Sequence, residues 1–222
     1  TDSKTYTAYY IPPSNESGTV TLTIPAGSFE DDQSRSNTTT ATLALTFDTI
    51  SPTLSSFTHD HDDLIVNGDE TVLITATFSE DMTSAPEISI GGIDNDIIDD
   101  PMTSTSSSIW TYTWNVPDNK NGNYSATVSG TDLFGNYYAG TDSITFTVDN
   151  TSPTITLLEN DADDVLNDGE TVLLTAGVDE TISGTPTLTI ITSGGSNDFG
   201  MTSSGVSWTY SYSPPSSYSG VV

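Results

Sequence analysis

The sequence contains no cysteine and very few basic residues. Without cysteine the chain can form neither disulfides nor thiolate-bound metal sites. Lysine and arginine together number 3, against 31 aspartates and glutamates, so the formal net charge at pH 7 is −28. A field of this sign repels nucleic acids and anionic membranes, so both are excluded as expected partners. It also opposes compaction of the chain, which favours binding of cations.

Long apolar runs and helical apolar stripes are missing as well. No segment has the length of a membrane span, and no ten-residue stretch repeats apolar residues at helical spacing. High acidity with modest hydrophobicity is typical of disordered chains. Here, however, aromatic and β-branched residues alternate with polar ones, which is the pattern of half-buried strands. The chain is therefore predicted to fold as an all-β protein.

The chain repeats itself with a period of about a hundred residues. "SPTLSSFTHDHDDLIVNGDETVLITATFSE" at 51–80 matches "SPTITLLENDADDVLNDGETVLLTAGVDE" at 152–180. "SIWTYTWNVP" at 108–117 matches both "VSWTYSYSPP" at 206–215 and "KTYTAYYIPP" at 4–13. Because self-similarity at a fixed period indicates an array of equivalent units, the boundaries can be placed by alignment.

Three segments follow from this alignment. Residues 1–48 are predicted to be the C-terminal part of one unit, 49–149 a complete unit, and 150–222 the N-terminal part of a third. Thr1 does not begin a signal peptide, so we expect an interior piece of a longer protein.

Apolar and polar residues alternate with the two-residue period of β-strands through the complete unit, residues 49–149. "TVLITATF" at 71–78 places Val72, Ile74, Ala76 and Phe78 on one face, and four further stretches alternate in the same way: 86–90, 109–116, 123–130 and 143–148. About seven short strands in a hundred residues predict an antiparallel β-sandwich of immunoglobulin type. The segment 91–108 shows no alternation and is predicted to be a long irregular loop.

The ordered motifs carry a resemblance to a known family. The ordered pattern "D-N-T-S-P", "G-D-E-T-V-x-I-T-A-T-F-S-E", "G-T-D-x-x-G-N" and "F-T-V-D-N-T-S-P" resembles the bacterial immunoglobulin-like repeats of large surface adhesins and biofilm-associated proteins. The resemblance implies tandem Ig-like sandwiches that act as stalk modules, are exported to the cell surface and are often stiffened by calcium. One loop departs from the pattern, because "SFEDDQSRSN" at 28–37 stands where the complete unit has "TDLFGN" at 131–136.

Acidic residues from three distant segments are expected to meet at one pole of the complete sandwich. Calcium takes six to eight oxygen ligands from carboxylates, carbonyls and waters. The sandwich topology brings the linker, the loop after the second strand and the loop after the sixth strand to that pole. The predicted ligands are Asp48, Glu80, Asp81, Asp132 and Asn136.

A second group of candidate ligands belongs to the opposite pole and the next linker. These residues are Asp149, Asp62, Asp63, Asp163 and Glu180. The loop 160–170 alternates acids before a glycine, but it lacks flanking helices and its glycine comes too late for an EF-hand. Acidic turns are also commonly just solvated, because Asp and Asn favour turns through local hydrogen bonds. Two histidines flank Asp60, and a surface loop is preferred to a zinc or nickel site there.

The sequence gives no indication of an enzyme. It has no cysteine nucleophile, and its two histidines lie two residues apart in one loop. Three functions remain open: a calcium-stiffened spacer of a secreted cell-surface adhesin, a glycan- or protein-binding module that uses 91–108, or an accessory repeat beside a secreted enzyme. The expected partners are neighbouring repeats of the same chain, with surface glycans or proteins as further candidates.

Overall fold

In the computed structural model the protein consists of β-strands and loops. The structure describes residues 4–92, 96–192, 194–204 and 207–215. Within these ranges there is no helix with the length and apolar character needed to cross a membrane. The strands are β1 (Ser17–Ile24), β2 (Ala41–Asp48), β3 (Leu54–His59), β4 (Ile65–Val66), β5 (Thr71–Phe78), β6 (Glu87–Gly91), β7 (Ile97–Pro101), β8 (Thr103–Ser104), β9 (Ile109–Asn115), β10 (Gly122–Ser129), β11 (Ser143–Val148), β12 (Ile155–Leu158), β13 (Val172–Val178), β14 (Thr187–Thr192), β15 (Gly195–Gly200), β16 (Thr202–Ser204) and β17 (Ser207–Tyr212).

The strands fall into two compact units. The first unit, Thr1–Asn150, contains β1 to β11, and the second, Thr151–Val222, contains β12 to β17. In the first unit β1 and β2 form a separate two-stranded antiparallel sheet, with Ser17 opposite Asp48 and Ile24 opposite Ala41. Strand β2 therefore ends at the first candidate metal ligand.

Strands β3 to β11 form a two-sheet sandwich. One sheet has the order β3-β5-β9-β8 and the other β4-β11-β10-β6-β7. All described pairings in these sheets are antiparallel except that of β4 with β11, which is parallel. This is the strand arrangement of immunoglobulin-type sandwiches, and the all-β prediction is confirmed.

Alternating side chains build the core of this sandwich. Val72, Ile74, Ala76 and Phe78 of β5 are all buried, as their spacing predicts. Trp114 is only 2% exposed. Its ring packs against two other aromatic rings, with centroid distances of 5.7 Å to Tyr124 and 5.3 Å to Phe146. The other buried apolar residues of the cluster are Val66, Met82, Ile88, Ile90, Met102, Trp110, Val116, Ala126, Val128, Tyr138, Ile144 and Val148.

The prediction of a long irregular loop at 91–108 is wrong over its described part. Strands β7 and β8 occupy much of it, and β7 extends the sheet of β6 while β8 pairs with β9. Residues 93–95 lie outside the described residues.

The second unit repeats the beginning of the first sandwich. Its sheet β12-β13-β17-β16 has the order of β3-β5-β9-β8, and β14 pairs with β15 as β6 pairs with β7. Ala176, Leu188 and Met201 form its buried cluster.

Candidate metal centre

A tight loop after β10 holds the central carboxylate of the site. Asp132 is 0% exposed, and its Oδ1 accepts hydrogen bonds from the backbone amides of Phe134 and Asn136, both at 2.8 Å. The Asn136 side chain donates to the other carboxylate oxygen, Oδ2, also at 2.8 Å. Gly135 has a φ of 92°, in the left-handed region that glycine adopts without strain. The loop thus fixes one buried carboxylate in a single orientation.

The linker between β2 and β3 brings a second carboxylate to this loop. Asp48 Oδ1 accepts a hydrogen bond from the Ile50 amide at 2.9 Å, which closes a local turn. The backbone oxygen of Asp48 accepts a hydrogen bond from Asn136 Nδ2 at 3.2 Å. Asn136 therefore connects the linker to the loop.

Glu80 completes a group of three carboxylates. It follows β5, and one oxygen each of Asp48, Glu80 and Asp132 lie within 4.8 Å of one another. Burial raises the pKa of Glu80, and the negative charges of Asp132 and Asp48 raise it further. The group of like charges is therefore electrostatically unfavourable without a cation.

The pKa of Asp132 is lowered, in contrast to that of Glu80. Burial alone would raise it, but hydrogen bonds from the Asn136 side chain and from the backbone amides of Asn136, Phe134 and Gly135 outweigh burial and lower it. Asp132 is thus held as an anion beside Glu80, which resists ionisation.

This donor set fits calcium. Three carboxylates provide up to six oxygens, and calcium accepts carboxylates in one- or two-oxygen mode together with carbonyls and waters. Nitrogen and sulfur ligands, which zinc prefers, are absent from the group.

Asp81 lies outside this group. Its side chain is exposed, and Oδ1 accepts a hydrogen bond from Ser107 Oγ at 2.5 Å. The predicted set at this pole therefore separates into a cluster of Asp48, Glu80, Asp132 and Asn136, and one residue bound elsewhere.

The candidates of the second group do not form a comparable cluster among the described residues. Asp63 and Asp163 each accept a hydrogen bond from the amide two residues later, at 3.0 and 3.2 Å, as solvated Asx turns do. Asp62 is exposed. Asp149 belongs to the first unit, is exposed, and donates its amide to the Val66 carbonyl.

Glu180 belongs to the second unit and is the sequence counterpart of Glu80. Its Oε1 is buried and accepts no hydrogen bond from the described residues. His61 Nδ1 lies 3.0 Å from Asp60 Oδ1. His59 is instead the last residue of β3 and its ring packs against Phe146, so the expected surface loop begins only after His59.

The residue that follows each linker aspartate makes long-range contacts that the sequence did not predict. Thr49 Oγ1 lies 2.8 and 2.9 Å from the carbonyl oxygens of Pro13 and Glu16, and it accepts a hydrogen bond from the Glu16 amide at 3.0 Å. Thr49 therefore fastens the linker to the segment before it, while Asp48 faces the sandwich after it.

Asn150 plays the same part at the next linker. Its Oδ1 accepts a hydrogen bond from the Gly68 amide at 2.7 Å, and its Nδ2 donates to the carbonyl oxygens of Pro117, at 3.2 Å, and Lys120. Pro117 and Lys120 align with Pro13 and Glu16, the partners of Thr49. The signal in the sequence was the recurrence of a polar residue directly after the linker aspartate.

Comparisons with known proteins agree with the architecture. Residues 108–210 match the family model of bacterial Ig-like domains (group 3). This stretch has the length of about one repeat; it begins in the first compact unit and ends in the second. No match was found among curated proteins.

One similar solved structure is described as a study of "host cell surface retention of a 1.5-MDa bacterial ice-binding adhesin". It is 20% identical to the chain with a TM-score of 0.44, over 83% of this chain and 60% of that one. The chain is thus similar to bacterial Ig-like domains over residues 108–210, and its two-sheet topology agrees with that similarity.

Proposed function

We propose that this chain is a spacer segment of a secreted, cell-surface adhesin-type protein, and that calcium stiffens its joint at Asp48. The observation that carries the proposal is the position of the linker between two sets of contacts. Thr49 is bound to the preceding segment, and the neighbouring Asp48 lies in the carboxylate group of the following sandwich. An ion in that group would join the linker to the sandwich by direct ligation.

Electrostatics supports calcium as the ligand. In the absence of an ion the three carboxylates repel one another, which is the cause of the raised pKa of Glu80 after burial. A divalent cation removes this repulsion and also offsets part of the formal charge of −28. Asp48, Glu80 and Asp132 would supply the carboxylate ligands.

We expect neighbouring repeats of the same chain to be the main partners, with no nucleic acid, no membrane insertion and no catalytic activity. These expectations derive from the acidic composition and from the similarity of residues 108–210 to bacterial Ig-like domains. The binding of glycans or proteins stays an alternative prediction.

The test is a calcium titration of the whole chain. A ligand that binds only the folded state stabilises it by about 2.7 kcal/mol at a hundredfold excess over its Kd. We expect calcium to raise the melting temperature of the first unit relative to EDTA. We also expect the NMR order parameters of the Thr49 and Ile50 amides to rise, because the linker becomes more rigid.

Two variants provide a matched comparison. Asp48→Asn keeps an oxygen that can accept the Ile50 amide, but it removes one charge from the group, so the calcium response should weaken markedly. Asp81→Asn removes the same charge one residue beyond Glu80 and should keep the full response. If wild type does not respond to calcium, or if both variants respond alike, the proposed joint is wrong.

A further inference from the structure

The partial first repeat, residues 1–48, contains a loop at 31–35 with the same backbone hydrogen bonding as the loop at 132–136 of the candidate metal centre. The Asp31 amide donates to the Arg35 carbonyl at 3.0 Å, as the Asp132 amide donates to the Asn136 carbonyl at 3.0 Å. The spacing to the linker aspartate is also equal, since 48 − 35 = 13 and 149 − 136 = 13. Residues 31–35 and 132–136 are therefore equivalent positions in two repeats.

The internal hydrogen bonds of the two loops also agree. Asp31 Oδ1 accepts hydrogen bonds from the amides of Gln33, at 2.9 Å, and Arg35, at 3.0 Å, just as Asp132 Oδ1 accepts two amides in its own loop. The fourth position has a positive φ in both loops, 61° at Ser34 and 92° at Gly135. Backbone geometry is thus conserved between the repeats although the sequences differ.

The chemical difference is concentrated at the last position of the loop. Where Asn136 Nδ2 donates to Asp132 Oδ2, the Arg35 guanidinium binds Asp31 Oδ2 through Nε at 2.8 Å and Nη2 at 2.7 Å. Both side chains therefore reach the same carboxylate oxygen, but only one of them carries a positive charge.

We propose that Arg35 is a built-in cation that takes the place of a divalent ion at this loop. The residue at this loop position then sets whether a repeat depends on metal. This inference rests on the proposed function, since it takes the Asp132 loop as the metal-dependent form. The positive charge of an arginine is covalently part of the chain, so a chelator cannot remove it. One arginine among only three basic residues of the chain lies at the position equivalent to Asn136.

The Arg35 pair adds little stability by itself. Its side chains are 74% and 39% exposed, and exposed ion pairs are weak. Its consequence is electrostatic: a positive charge on the carboxylate repels a second cation and removes the need for one. At position 136, which is half-buried beside three carboxylates, the same charge would have a larger effect.

The experiment transfers the arginine to the second loop of the whole chain. In EDTA, Asn136→Arg should raise the melting temperature toward that of calcium-loaded wild type, and added calcium should shift it no further. Its affinity for calcium should fall by about tenfold or more, because two cations would compete for the same oxygens. Asn136→Gln, which is neutral, is the matched control and should not raise the melting temperature in EDTA.

A measurement on wild type keeps the inference testable if Asn136→Arg does not fold. Calcium should shift the NMR signals of the Phe134 and Asn136 amides while those of Gln33 and Arg35 stay in place. Equal shifts in both loops would overturn the role of Arg35.

The two proposals fail in different ways. Absence of any calcium response in wild type contradicts the metal-dependent joint and, with it, the substitution of Arg35 for an ion. A calcium response in wild type with no EDTA difference between Asn136→Arg and Asn136→Gln contradicts the role of Arg35 alone. If these two variants melt at the same temperature in EDTA, the built-in cation is wrong whatever calcium does to wild type.

Discussion

The side-chain nitrogen of Asn136 donates a hydrogen bond to the backbone oxygen of Asp48, which lies 88 residues earlier in the chain. The same nitrogen also donates to Asp132 Oδ2. One amide group therefore binds both the linker and the buried carboxylate of the loop. Protein atoms alone therefore position the linker against the sandwich.

The raised pKa of Glu80 predicts a pH-dependent stability in EDTA. In the unfolded chain this carboxyl returns toward its ordinary value of 4.5, whereas burial and the charges of Asp132 and Asp48 raise the pKa in the fold. Below pH 4.5 both states are protonated. Between 4.5 and the raised pKa the folded state binds more protons, so the contribution of Glu80 to stability is lost as pH rises through this window.

The measurement is urea unfolding followed by tryptophan fluorescence across this pH range. Glu80→Gln should remove the loss of stability with rising pH, and Glu87→Gln, at an exposed position on β6, should retain it. An identical pH profile for wild type and Glu80→Gln would contradict the prediction. In excess calcium the slope should reverse, because the ion binds the ionised carboxylate.

Removal of the Asn150 side chain should destabilise the first unit. Asn150→Ala loses one hydrogen bond from Gly68 and two to the carbonyl oxygens of Pro117 and Lys120. At about 0.5–1.5 kcal/mol for each hydrogen bond, the expected loss is roughly 2–4 kcal/mol. Hydrogen exchange of the Gly68 amide should accelerate at the same time.

Asn123→Ala is the control for this change. Asn123 lies on β10 and is exposed, and its side chain accepts one hydrogen bond from Thr147 Oγ1. It should cost less than about 1 kcal/mol. Comparable losses for the two variants would show that Asn150 has no special role at the linker.

The hydrogen bond between Tyr138 and Asp142 leaves no room for a side chain at Gly140. Tyr138 is buried, donates its hydroxyl to Asp142 Oδ2 at 2.5 Å and packs edge-on against Phe78. A Cβ at position 140 would lie 2.2 Å from the Tyr138 hydroxyl. Gly140→Ala should therefore displace the tyrosine at a cost of about 1–3 kcal/mol, measured by chemical unfolding.

Gly91→Ala is the matched substitution for Gly140→Ala. The nearest atom to a Cβ at position 91 is 3.8 Å away, which is an ordinary contact. The control should unfold close to wild type. Equal unfolding midpoints for both variants would contradict the steric argument.

The fold was predictable where strands alternate strongly. In β5 every second residue is apolar and buried, so the period alone locates the strand and its inner face. In β7 the sequence "IIDDP" has neither alternation nor an apolar face, and its pairing with β6 depends on tertiary contacts. A local pattern could not reveal that strand.

The grouping of three carboxylates was predictable in outline because loop positions in a sandwich determine which segments meet. Asp48, Glu80 and Asp132 come from three segments that the topology brings to one pole. Asp81 separates from them because adjacent residues at a strand end point in different directions, and sequence spacing does not say which one faces inward. Thr49 and Asn150 were missed because polar residues in linkers are common and mostly make no long-range contact.

The parallel pairing of β4 with β11 has an expected consequence for a sandwich under tensile load. The Thr147 amide donates to the Leu64 carbonyl at 2.7 Å, and the Asp149 amide donates to the Val66 carbonyl at 2.9 Å. Strand β4 lies near the start of the sandwich and β11 at its end, so a force that pulls the two ends apart slides these parallel strands past each other. We expect both hydrogen bonds to be strained together instead of opening one after the other.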